Sequence, residues 1–75
     1  VELGRAQDGI EAFETAIRIE PENAESHYYL GMAYERLRRR EEALAAYKKA
    51  AELDPASTQY PIAAAELLIE QGDLD

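Results

Sequence analysis

Residues 10–21 read Ile-Glu-Ala-Phe-Glu-Thr-Ala-Ile-Arg-Ile-Glu-Pro, and residues 44–55 read Leu-Ala-Ala-Tyr-Lys-Lys-Ala-Ala-Glu-Leu-Asp-Pro. The apolar positions coincide, and the two closing prolines lie 55 − 21 = 34 residues apart. A fixed period of that size marks stacked repeats rather than one globular core. Each segment spaces its apolar residues at helical intervals, as in Ile10, Phe13, Ala16 and Ile17. Each proline then stops its helix, because the residue before proline is pushed out of the helical region.

Outward from these two segments the same spacing predicts four helices, over about 7–20, 24–37, 41–54 and 60–71. Asn23 is placed to cap the second, and Ser57 or Thr58 the fourth. Pro61 falls in a first turn, where a missing N–H costs little. Gly4 reads as an inter-helix turn residue and Gly72 as the left-handed residue closing the last helix. The short connections make consecutive helices antiparallel. Leu30, Tyr34, Tyr47, Ala50 and Phe13 are the expected core, with Gly31 at a close helix–helix approach. No strand pattern, Gly/Ser linker or low-complexity tract is present.

Composition bounds the function. Seventy-five residues make at most one small domain, without cysteine to staple it or to hold a thiolate metal site. The formal charge of −8 repels phosphate, which argues against nucleic acid and against an anionic membrane surface. No apolar run approaches a membrane span. A soluble, cytoplasmic setting is the expectation.

Residues 24–57 carry His27-x-x-Leu30-Gly31-x-x-Tyr34, then Ala43-x-x-x-Tyr47, then Pro55. This resembles the tetratricopeptide repeat. The resemblance implies an all-α fold of antiparallel helix-turn-helix repeats, stacked as an α-solenoid with a right-handed superhelix. It divides the chain into the end of one repeat (1–23), a complete repeat (24–57) and the first helix of the next (58–75). Arg38 then stands at a turn position where glycine is usual, at a cost of roughly 1–2 kcal/mol if it is left-handed. Gly9 replaces a usual small alanine, and His27 a usual large aromatic.

In this family the first helices of successive repeats line the concave surface, and peptides bind there. The matching positions are Glu25, Tyr28, Met32, Glu35 and Arg36, then Gln59, Ile62, Glu66, Ile69 and Glu70. None is Lys or Asn, so the clamp that some members close on a C-terminal carboxylate is not expected. Tyr28, Met32 and Ile62 read either as apolar anchors for a partner or as packing against adjacent helices. Several glutamates around them suit a basic or amphipathic helix or peptide.

The chemistry of catalysis is not written here. His27 is the single histidine, so it reads as packing rather than as a metal ligand. Glu41 and Glu42 are adjacent on a helix and diverge, which suits a helix N-terminus better than acid/base work. Arg38-Arg39-Arg40 reads as a solvated turn pairing with nearby glutamates. No catalytic residue, cofactor or metal is expected. The sequence points to a protein-interaction scaffold binding a peptide or helix, with a self-associating or spacing module as the alternative. Ile10, Phe13 and Ile17 at one end, and Ala64, Leu67 and Leu68 at the other, are expected to be under-covered and to favour contacts between copies.

Overall fold

The computed structural model describes the backbone of residues 2–74 and the side chains of residues 8–70. Four helices follow one another: α1 (Glu2–Ile19), α2 (Ala24–Arg36), α3 (Arg40–Leu53) and α4 (Gln59–Leu74). Among the described residues there is no strand. Each helix packs against its sequence neighbours, and α2 with α3 is the most extensive pairing. Contacts run backwards from each turn, Phe13 to Tyr29 across the first and Gly31 to Ala43 across the second, so neighbours are antiparallel. The Cα trace is flat, 38 × 35 × 14 Å. The thin dimension is about what two helix layers occupy at the usual 8–10 Å separation.

The 34-residue period is visible in the hydrogen bonds. Glu20 N–H donates to Ala16 O and Asn23 N–H to Glu20 O after α1. Asp54 N–H donates to Ala50 O and Ser57 N–H to Asp54 O after α3. Each pair is the other shifted by 34. The core repeats in the same way. Ile10 of α1 clusters with Leu30 and Ala33 of α2, and, 34 residues on, Leu44 of α3 packs against the cluster that holds Ala64 and Leu67 of α4.

The caps follow from local chemistry. The Asn23 side chain accepts from Ser26 N–H at 3.2 Å, which satisfies one orphan donor of α2. His27 Nε2–H donates to Pro21 O at 3.0 Å, since a carbonyl can only accept. Arg38 is left-handed, with φ 63°. Its N–H donates to Glu35 O, and Arg39 N–H donates to Tyr34 O. That pair of bonds is the Schellman motif, here built without glycine. Arg39 Nε lies 3.9 Å from Glu42 Oε1 with both side chains half-exposed, a weak pair at most.

Several expectations are corrected. α1 begins at Glu2, so Gly4 lies within a helix, not in a turn. α4 continues to Leu74, so Gly72 does not close it. A glycine in a helix costs only about 1 kcal/mol, which good helix formers on either side outweigh. Tyr34 and Phe13 are half-buried rather than core. Tyr34 sends its hydroxyl outward to Glu14 Oε2 at 3.4 Å, and Phe13 lies on the partly exposed Tyr29 ring. Ile10, Ala64 and Leu67 are not under-covered: they are 3%, 8% and 1% exposed. The stripe Tyr60–Ala64–Leu67 turns inward, Ala64 and Leu67 packing with Ala43 and Tyr47 of α3, and the open apolar residues of α4 lie on another face.

Candidate interaction surface

The centre of the molecule is Tyr47 of α3. Its ring is 2% exposed. Gly31 of α2 admits it: a Cβ built on Gly31 would lie 2.6 Å from Tyr47 Cε1 and 3.2 Å from Ala43 O. Only glycine lets the two helices close to this distance. The Tyr47 hydroxyl crosses beneath α2 and donates to Glu35 Oε1 at 2.6 Å. Burial, with help from that carboxylate, pushes the Tyr47 phenol well above its ordinary pKa. Burial also raises Tyr60, and burial together with the Glu14 charge raises Tyr34.

Tyr28 sits where three helices meet. Its ring centroid is 5.7 Å from Tyr47 of α3, 5.1 Å from Tyr60 of α4 and 5.6 Å from its neighbour Tyr29. The tilted geometry is the favourable one for aromatic pairs. Tyr28 is therefore half-buried and engaged in packing. Sequence reading missed Tyr29 and Tyr60 in this network. Tyr60 was legible in principle, since Tyr60, Ala64 and Leu67 recur at i, i+4, i+7.

The other positions read from the sequence divide in two. On α2, Met32, Glu35 and Arg36 together line an open hollow. Met32 and Arg36 are exposed there, Glu35 is half-buried by its Tyr47 bond, and Glu25 is exposed. On α4, Gln59, Ile62, Glu66, Ile69 and Glu70 are all exposed, with Ile62 at 53% and Ile69 at 64%. The structure thus joins Met32, Glu35 and Arg36 in one depression, without Glu25 or Tyr28, and leaves the α4 residues as an open helix face. Among the described residues, no cluster of three or more His, Cys, Asp or Glu could hold a metal ion. No helix among them is long and apolar enough to cross a membrane.

Comparison with known proteins gives two matches. The family model described as tetratricopeptide repeat matches residues 1–58. The Protein CTR9 homolog of Arabidopsis thaliana is 35% identical over 69 residues, covering 92% of this chain and 6% of that protein. The chain therefore spans a small part of that relative's length. With the 34-residue period repeated in its turns, its core and its match to the family, this chain belongs to the tetratricopeptide repeat family.

Proposed function

We propose that this chain is a protein-interaction module that holds a peptide or helix on the side of α2 carrying Glu25, Tyr28, Met32, Glu35 and Arg36, with Ile62, Glu66 and Ile69 of α4 extending the surface. Members of the family are generally protein-interaction scaffolds rather than enzymes. The observation that carries the binding reading is the hollow in which exposed Met32 lies between Glu35 and Arg36. A polarizable, unbranched side chain there adapts to a partner's apolar group. The Tyr28–Tyr47–Tyr60 cluster supports the α2 surface from beneath, so Tyr28 serves as floor more than as anchor. The net charge of −8 steers basic or amphipathic partners toward it. In this reading residues 24–57 are one repeat, 1–23 close the repeat before it and 58–75 open the one after.

The test is retention of basic and acidic peptide libraries by the immobilised chain. Basic peptides are retained, and raising salt releases them. Met32→Ala removes the apolar side chain from the hollow without changing the charge and costs about 1 kcal/mol or more of binding, with helicity unchanged by circular dichroism. Equal retention of both libraries, or indifference to Met32→Ala, removes this reading.

A further inference from the structure

Arg38, Arg39 and Arg40 follow one another at the turn between α2 and α3. Without them the formal charge would be −8 − 3 = −11, so they form a basic island in a strongly acidic chain. Pairing with nearby glutamates, expected from the sequence, is limited to one contact. Among the described residues the only ion pair is Arg39 Nε with Glu42 Oε1, long at 3.9 Å and half-exposed. Glu35, one helical turn before Arg38, accepts the Tyr47 hydroxyl instead.

Each of the three stands where the fold prefers something else. Arg38 holds φ 63°, a conformation strained for a residue with a Cβ and open to glycine. Arg39 is the N-cap of α3 and makes no side-chain cap hydrogen bond, at a position that Ser, Thr, Asp or Asn fills better. Arg40 opens α3 and brings a cation to the positive end of the helix dipole, where Glu41 and Glu42 are the favourable residues. The three like charges also repel one another. Local choices in a folded chain mostly agree with the fold, and function is expected where they disagree. Here three consecutive residues disagree, each for a different physical reason.

We propose that the Arg38–Arg39–Arg40 turn docks a short acidic segment of a partner protein, of the form Glu-x-Glu or Asp-x-Asp. A guanidinium takes a carboxylate through two parallel N–H···O bonds, which an ammonium cannot do. An extended segment carries alternate side chains on one side, about 6–7 Å apart. The Cα atoms of Arg38 and Arg40 are at most about 7.6 Å apart, so two carboxylates of such a segment meet two guanidiniums. Arg38 is exposed and Arg40 half-buried, while Arg39 keeps its contact with Glu42. The bound carboxylates offset the repulsion among the arginines and the conflict of Arg40 with the α3 dipole.

The size of the island selects the partner. A nucleic acid would carry its phosphates onward over the rest of the chain, whose formal charge is the −11 just derived. A segment with two or three carboxylates ends where the arginines end. At about 0.15 M ionic strength charges act over about 8 Å, so a docked segment feels the arginines more than the distant carboxylates. The site adjoins the Met32 hollow without including it, and it takes the opposite charge from the peptides proposed there.

Fluorescence anisotropy of a labelled Glu-Ser-Glu-Ser-Glu peptide with the 75-residue chain tests this. The peptide binds, and Lys-Ser-Lys-Ser-Lys does not displace it. Arg38→Gly, Arg39→Ser and Arg40→Gln each follow the preference of the fold. Each therefore raises the unfolding midpoint while weakening the peptide about three- to tenfold. A purely structural role would move stability and affinity together. Arg38→Lys keeps the charge without the fork and falls between the wild type and Arg38→Gly. Met32→Ala leaves the acidic peptide bound, so this site and the peptide reading of the hollow stand or fall separately. Comparing the basic and acidic libraries on the triple variant, which lacks the turn site, isolates the hollow. A wild-type chain that does not bind the acidic peptide, arginine variants that bind it as the wild type does, or displacement by an equally charged oligothymidylate at the same concentration overturns the proposal.

Discussion

α2 and α4 are the same helix of the repeat, one covered and one not. At Gly31 of α2 a single added methyl would enter the Tyr47 ring. At Ala65 of α4 the methyl is present and lies open to solvent. The helices share their other packing as well, since Leu30 and Ala33 cluster with Ile10 of the preceding helix as Ala64 and Leu67 cluster with α3, where Leu44 adds to the contact. The difference teaches that each such helix has two apolar sides. One packs on the preceding helix, and the other waits for the following one. Only the side whose neighbour is present contributes to the stability of this chain.

The largest test of that distinction lies within α4. Leu67 is 1% exposed and Leu68 is 48% exposed, although they are adjacent and chemically identical. Leu67→Ala removes buried surface and leaves a cavity, for a loss of about 2–5 kcal/mol in urea or thermal unfolding. Leu68→Ala in the dilute monomer changes stability by less than about 0.5 kcal/mol. Comparable losses from the two would mean that α4 is rotated from the orientation described.

Next come Gly31 and Gly9, which respond oppositely to the same change. Gly31→Ala forces the buried Tyr47 ring or the α3 backbone aside, costing about 1–3 kcal/mol despite better helix propensity. Gly31→Leu costs more. Gly9→Ala meets only an ordinary contact with Phe13 and gains up to about 1 kcal/mol from propensity. Matched melting curves read both. A stabilising Gly31→Ala would show that α2 and α3 do not approach as closely as the Tyr47 contact requires.

How much of this was legible in the chain follows from the same two-sidedness. The period was readable because Pro21 and Pro55 act locally, each on the residue before it. Gly31 was readable because glycine inside a strongly apolar stripe has a packing reason. The assignment of faces on α4 was not. Tyr60, Ala64 and Leu67 form one apolar stripe, Ile62, Ala65 and Ile69 another, and a helix apolar around most of its circumference gives periodicity nothing to orient. Gly4 and Gly72 were misread because one glycine is a small cost rather than a stop. At the candidate surface, sequence spacing placed Met32, Glu35 and Arg36 on one side of α2. It could not show that Tyr28 is held among Tyr47 and Tyr60, since that contact joins helices 19 and 32 residues away.

A smaller effect concerns the covered face alone. Tyr47→Phe removes the hydroxyl bonded to Glu35, at a cost of about 1 kcal/mol near neutral pH. It also changes the alkaline limb. The folded state holds the Tyr47 phenol neutral to higher pH than the unfolded chain does, whose tyrosines titrate near pH 10. The stabilisation is therefore complete below about pH 10 and is lost as the pH rises past it, because the unfolded state releases that proton first. Tyr34 and Tyr60 are raised too and add to the slope. Denaturant unfolding between pH 8 and 11 should show the wild type falling faster than Tyr47→Phe. Parallel curves would mean that the Tyr47 phenol is not held neutral by its burial against Gly31.

The smallest expected effect is at the turn that creates the covered pair. Arg38 takes φ 63° so that its own N–H and that of Arg39 can reach Glu35 O and Tyr34 O. Those bonds satisfy the last carbonyls of α2 and aim α3 back along it. An L-residue with a Cβ pays for this conformation, and glycine does not. Among the described residues no ion pair holds Arg38: it is exposed, and the nearby pair with Glu42 belongs to Arg39. Arg38→Gly gives up some unfolded-state restriction and relieves the left-handed strain, a net gain of up to about 1 kcal/mol. The gain should appear in the unfolding midpoint with no change in denaturant slope, since the same surface is buried before and after. A destabilised Arg38→Gly would show that the arginine makes a contact the turn depends on, and that the covered pair is held by more than the packing of α2 on α3.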